Sequence, residues 1–260
     1  MTVPPLTWLY VPADRPDRVE KALASRAHAV IVDLEDGVPS ASKARARDGL
    51  PALLGERRDK PVFVRINAGS DPDLESVAQL AIEGVFVPKL ERAEDVPAGV
   101  RVHALLETAL GLESAFAIAS HPGVQGMSLG EGDLRSQTGA LEAGLDWARS
   151  RVVNAAVAAG LPRPPQSVYP HLRDLEGLAA SCRRGRELGH LGRAAIHPDQ
   201  LPVIEQAYLP TAAEVETARE TIERLEEVAV GTLADGAFVD PAMLGGARQV
   251  VALAERYGTA

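Results

Sequence analysis

The 260 residues predict an α/β fold, a (β/α)8 TIM barrel followed by a C-terminal helical extension. Three observations carry this expectation. Eight short apolar runs alternate with longer segments whose apolar residues recur every three or four positions, the pattern of repeated strand–helix units. Most of the runs are apolar without interruption, as strands buried on both faces are in parallel sheets. No glycine follows the first run, where Pro12-Ala13-Asp14-Arg15-Pro16 stands. An open doubly wound sheet would carry its phosphate-binding loop there, so the closed barrel is favoured.

The predicted strands are residues 7–11, 29–34, 61–66, 84–89, 100–106, 123–129, a weak one at 166–169, and 192–196. Helical spacing over 17–25, 42–54, 74–82, 109–119, 140–159 and 175–188 supplies the connections. After the eighth strand, Val215, Ala218, Ile222, Leu225 and Val228 form an amphipathic stretch, which leads through residues 235–240 to a last helix at 242–257. Residues 1–210 are therefore expected to form the barrel. Residues 211–260 form a helical segment suited to capping it or to packing on a neighbouring subunit.

Composition narrows the function classes. Apolar residues make up 46% and charged residues 24%, an ordinary globular balance. Cys182 is the single cysteine, which excludes an intrachain disulfide and a thiolate metal cluster. The net charge of −9 argues against general nucleic-acid binding, because neutralising phosphates needs a basic field. Neither a leader-like N-terminus nor an apolar run long enough to span a bilayer is present, so the chain reads as a soluble cytoplasmic protein without membrane attachment.

Barrel active sites form where strands end. Here the ends read Asp33-Leu34-Glu35-Asp36, Arg65-Ile66-Asn67, Pro88-Lys89-Leu90-Glu91, Leu106-Glu107-Thr108, Leu129-Gly130-Glu131-Gly132-Asp133 and Ile196-His197-Pro198. Any one of these polar residues has an ordinary structural use as a cap or ion-pair partner. Six together point to a site. Glu107 and Asp133 close consecutive strands, which lie about 4.8 Å apart, so both carboxylates can reach one cation. Two carboxylates with positions left for water and substrate oxygens suit Mg²⁺, whereas zinc would want His or Cys. Gly130 and Gly132 would let substrate approach the backbone closely. Glu35 and Asp36 are placed to hold metal-bound waters. Arg65 offers a planar fork for a substrate carboxylate. Together these describe a site for an α-hydroxy or α-keto acid.

One rival motif is present. Gly126-Met127-Ser128-Leu129-Gly130 matches the three fixed positions of a nucleophile elbow. The elbow needs its Ser on a sharp turn into a helix, whereas Ser128 is expected inside a strand running on to Gly132 and Asp133, as a small inward-facing residue.

Read in order, LYVPADRPDR, VIVDLEDGV with KARAR after it, VRIN, VPKLE, ALLETALG, SLGEGDL and AIHPDQ resemble the citrate lyase β-subunit-like branch of the HpcH/HpaI aldolase superfamily. The resemblance spans about residues 9–210. It implies a barrel with Mg²⁺ held by Glu107 and Asp133, and Arg65 on the substrate carboxylate. It also implies cleavage or formation of a carbon–carbon bond in 3-hydroxy acyl thioesters of the citryl, malyl or citramalyl type, by enzymes that commonly assemble as homotrimers. The expected partners are thus an α-keto or hydroxy acid and an acyl-CoA or acyl-carrier protein. Arg65 and Glu35 are the catalytic candidates. Arg65, Glu107, Gly132, Tyr10 and Lys21 are the substrate-binding ones, with Arg18 and Lys43 as further basic residues for the carrier's phosphates. Related thioester lyases carry a tail segment like GAFVLDGKMID, whose last Asp reaches a neighbour's active site. This chain has a tail one residue shorter, with Gly245 where that Asp would stand. That departure raises thioester hydrolysis, aldol cleavage or a non-catalytic carrier-binding role as alternatives.

Overall fold

The uninterrupted apolar runs become parallel strands, each bounded by Gly, Pro or a charged residue. In the computed structural model, which describes residues 3–228 and 230–258, the order is β1 (Thr7–Pro12), α1 (Pro16–Ala24), β2 (Ala29–Asp33), α2 (Lys43–Leu54), β3 (Val62–Arg65) and α3 (Asp71–Val77). Then come β4 (Gly84–Val87), β5 (Val102–Leu106), two short helices α4 (Ala109–Glu113) and α5 (Ala115–Ala119), β6 (Val124–Leu129), α6 (Glu131–Thr138), α7 (Asp146–Ala158), α8 (Leu175–Glu187), β7 (Arg193–Ala195) and α9 (Leu201–Tyr208). The strands form one curled seven-stranded parallel sheet in the order β6-β5-β4-β3-β2-β1-β7. All five residues of β2 are buried. Each large apolar side chain so enclosed contributes about 1.5–3 kcal/mol.

Three expectations need correction. The weak strand at 166–169 supplies only one bridge, Gln166 with Arg193, so the eighth strand is missing as a ladder. Its sequence explains this. Pro164 and Pro165 precede it and Pro170 follows, and proline has no N–H to donate to a ladder. The segment is instead held to β7 by Gln166 N–H on Gly192 O and Ala194 N–H on Gln166 O (2.9 and 3.0 Å). On its other side the Ser167 hydroxyl donates to Leu129 O and accepts Glu131 N–H. Second, the strand ending at Leu129 does not run on to Asp133. Gly130 turns the chain and α6 starts at Glu131, so Asp133 lies in the first turn of a helix. Third, the helix expected at 74–82 starts earlier, at Asp71. Ser70 caps it by accepting Asp73 N–H (3.3 Å), and Pro72 fits its first turn.

Period-two alternation decides what fills the centre of the sheet. Trp8, Ala29, Ile31, Phe63, Phe86 and Ala194 face one another there. The Phe63 and Phe86 rings meet edge-on at 5.5 Å, and His103 stacks on Phe86 at 4.0 Å.

These strands belong to one compact unit, Pro5–Ala207; the described residues of the other are 3–4, 208–228 and 230–258. The second unit holds α10 (Ala212–Glu227), a short hairpin of β8 (Gly231–Thr232) and β9 (Phe238–Val239), and α11 (Leu244–Tyr257), which packs on α10. A capping box between Thr211 and Glu214 starts α10. Among the described residues no helix is long and apolar enough to cross a membrane.

Candidate active site

Two residues beyond the aromatic layer, the same inward face carries polar groups. Tyr10 follows Trp8, Asp33 follows Ile31 and Arg65 follows Phe63, so all three stand one layer nearer the C-terminal mouth. They line a cavity of about 1060 Å³ with Glu107, Gly132 and Asp133.

Asp33 and Arg65 are register partners on adjacent strands. Arg65 Nε and Nη2 donate to the two Asp33 oxygens (2.7 and 2.6 Å), and its guanidinium lies 5.1 Å from the Tyr10 ring centre. The same Asp33 oxygens accept the N–H groups of Glu35 and Gly37 (2.9 and 2.8 Å), which fixes the loop after β2. The fork expected to meet a substrate carboxylate is therefore already half engaged, and Nη1 faces Glu35 Oε2 at 3.0 Å. Burial pushes the Tyr10 hydroxyl above its usual range.

Lys89 adopts a left-handed backbone (φ +53°), an uncommon conformation for a side chain with a Cβ. That turn aims its N–H at Glu107 Oε1 (3.0 Å) and puts its ammonium among three acids. Its Nζ lies 2.8 Å from Glu35, 3.4 Å from Asp133 and 3.5 Å from Glu107. Burial alone would lower the Lys89 pKa, but the three carboxylates outweigh it and raise it. Glu107 is itself buried, and that burial pushes its carboxyl up to about 7 against the attraction of Lys89. Gly130 is needed here, because a Cβ on it would lie 2.4 Å from Glu107 Cβ.

Four carboxyl groups (Asp33, Glu35, Glu107, Asp133) thus surround two cations, more acids than cations to balance them. The buried Glu35 Oε2 touches Arg65 but has no aligned hydrogen-bond donor. Both facts fit a divalent cation with its waters. Among the described residues no three His, Cys, Asp or Glu side chains form a cage by themselves, and carboxylates with room for water are a donor type that Mg²⁺ favours.

Other expected residues distribute unevenly. Lys21 is exposed on α1, whose buried side is Val19 and Ala22, and does not line the cavity, whereas Arg18 does. Lys43 donates to Asn67 Oδ1. Asp36 is exposed at 3.9 Å from Arg65, and Glu131 turns to Arg149 (2.6 and 2.9 Å) rather than to Lys89. Ser128 lies inside β6 and pairs with His103 Nε2 at 2.7 Å. Burial lowers the His103 pKa to about 3. Sequence reasoning missed the roles of Asp33 and Lys89; the alternation from Ile31 and the strand end at Pro88 were the available signals.

Four acids, an oriented arginine and a lysine thus meet at the C-terminal mouth of a curled parallel sheet. The profile of the HpcH/HpaI aldolase/citrate lyase family matches residues 6–198, and the chain belongs to that family. It is 35% identical over 275 residues to a (3S)-malyl-CoA thioesterase of Cereibacter sphaeroides, covering 95% of this chain and 93% of that one. It is 36% identical over 257 residues to a citrate lyase subunit beta-like protein of Mycobacterium tuberculosis, covering 91% of each. The crystal structure of protein CitE from Mycobacterium tuberculosis in complex with magnesium, acetoacetate and coenzyme A superposes with a TM-score of 0.83 at 34% identity, over 96% of this chain and 98% of that one.

Proposed function

We propose that this chain is a Mg²⁺-dependent enzyme of 3-hydroxy acyl thioesters of the citryl, malyl or citramalyl type, and that its reaction is carbon–carbon cleavage to an α-keto acid and a shorter acyl thioester. The convergence of Glu107, Asp133 and Arg65 on one cavity carries this reading. Glu107 and Asp133 would hold the ion. When bound, Mg²⁺ supplies positive charge where negative charge develops on the substrate oxygens.

The chain's own residues do the rest. Arg65, braced by Asp33, keeps donors on Nη1 and Nη2 for the substrate carboxylate. Glu35, whose Oε2 lacks an aligned donor, takes the proton of the substrate hydroxyl. The bond between the hydroxyl carbon and its neighbour then breaks, and its electron pair passes into the thioester as an enolate that takes up a proton. Gly132, with open space in front of it, admits the substrate, and Tyr10 and Arg18 flank the route of the carrier, either coenzyme A or an acyl-carrier protein. A homotrimer is the assembly expected.

A second reading, thioester hydrolysis at the same site, is favoured by the identity to malyl-CoA thioesterases and by Gly245 in the tail. Incubation with malyl-CoA and Mg²⁺ separates the two. Cleavage yields glyoxylate and acetyl-CoA, and hydrolysis yields malate and free thiol. If neither product set appears from citryl, malyl or citramalyl thioesters while the protein binds Mg²⁺, both readings fail and a non-catalytic carrier-binding subunit takes their place.

A further inference from the structure

Arg193 is 3% exposed, yet it lacks what the other buried arginines have. Arg65 meets Asp33 and Glu35, and Arg149 meets Glu131, Glu142 and Asp146. Among the described residues Arg193 has no carboxylate in ion-pair contact. Because Trp8 and Ala194 face inward, their neighbours Thr7 and Arg193 face outward, and Arg193 projects between the sheet and α8. There its Nη1 donates to Ser181 Oγ (2.9 Å) and Gln166 Oε1 (3.0 Å) and lies 3.8 Å from Cys182 Sγ. Its guanidinium stands 5.5 Å from the Tyr169 ring centre, and its buried Nε has no hydrogen-bond partner. These four neighbours are neutral. Burying a cation without a counter-charge is costly, and leaving one of its donors unmet adds to that cost.

The cavity reaches this cation. Arg193, Ser181, Tyr169 and Gln166 all line it, on the outer side of the sheet from the acids around Lys89. We propose that Arg193 and the Ser181 hydroxyl form a second anion-binding subsite, whose ligand is an oxyanion group, a carboxylate or a phosphate. The guanidinium supplies charge and planar donors, Ser181 can donate its hydroxyl proton, and the Tyr169 ring covers one face. Nothing in this assignment depends on which reaction occurs at the acid-rich mouth.

Isothermal titration of the full-length metal-free protein with inorganic phosphate, and separately with acetate, tests it. Saturable binding is expected, and the tighter of the two anions identifies the group. Gln166→Glu is the decisive variant, because it places a carboxylate where Gln166 Oε1 now meets Arg193 while leaving the arginine intact. It should weaken the binding at least tenfold, and the hydrogen bond that Gln166 Nε2 donates to Ser181 O (3.2 Å) is given up in exchange for the new ion pair. Arg193→Met should remove the binding altogether; if that variant fails to fold, Gln166→Glu decides alone. Absence of saturable binding of either anion, or binding that is unchanged in Gln166→Glu, overturns the proposal.

Discussion

Asp33 determines what Arg65 can still offer. With Nε and one Nη2 proton committed to Asp33, the arginine is a positioned cation rather than a free fork, and both side chains depend on each other in a buried setting. Removing Arg65 alone leaves Asp33 as an uncompensated buried charge, at a cost of about 3–5 kcal/mol. Arg65→Met is therefore expected to be strongly destabilised in urea unfolding, and the double variant Asp33→Asn with Arg65→Met to lose less than the sum of the singles. In turnover, Arg65→Met should lower kcat/KM about 10²- to 10³-fold if Arg65 makes the proposed charge-assisted contact to the substrate carboxylate. Glu107 makes a second residue-scale prediction. Its pKa in the folded chain is raised from 4.5 to about 7, so between these values the native state keeps a proton that the unfolded chain has released. Stability of the metal-free protein should then fall as pH rises through that window, by about 1 kcal/mol per unit, and level off above it. Glu107→Gln should flatten that slope in denaturation curves at pH 5 and pH 8.

At the scale of elements, the site depends on where β5 and β6 stop. Glu107 and Arg65 were legible in the sequence as the polar residues that close buried stretches, whereas Asp133 was legible only as part of an acid-rich segment after β6 and stands in the first turn of α6. The start of α6 was not legible. Gly130 and Gly132 suggest an extended turn, and only the contact of Gly130 with Glu107 shows that the first glycine is there for close approach. The seventh predicted strand failed for a related reason: its apolar Val168 and Tyr169 sit between prolines that leave too few N–H donors for a ladder. Lys89 was visible as a strand-end lysine, but its left-handed turn into the acids comes from the backbone and not from any periodicity. Gly130→Ala tests this scale directly. A methyl there must displace the Glu107 side chain, so Mg²⁺ affinity by calorimetry should fall at least tenfold while the circular dichroism of the sheet and helices persists.

For the whole molecule, the net charge of −9 is partly concentrated at one mouth, where four acids exceed two cations. A fold that gathers like charges is stabilised by whatever neutralises them. Mg²⁺ at about 100 times its Kd should add about 2.7 kcal/mol, seen as a rise in melting temperature that Asp133→Asn abolishes. Sodium chloride at equal ionic strength separates site binding from general screening.

The Ser167 hydroxyl joins the segment after Pro165 to the end of β6, where other neighbours in the sheet share a ladder. One side-chain oxygen thus stands in for a row of amide bonds, and it holds the residues that lead directly into Asp133. Opening at this seam breaks the two hydrogen bonds of one hydroxyl instead of a cooperative row, so it is the line along which the wall should breathe first. Amide hydrogen exchange should show it. The amides of Glu131 and its neighbours are expected to exchange faster than those in the middle of β2 and β3, and Ser167→Ala should widen that difference without changing exchange elsewhere.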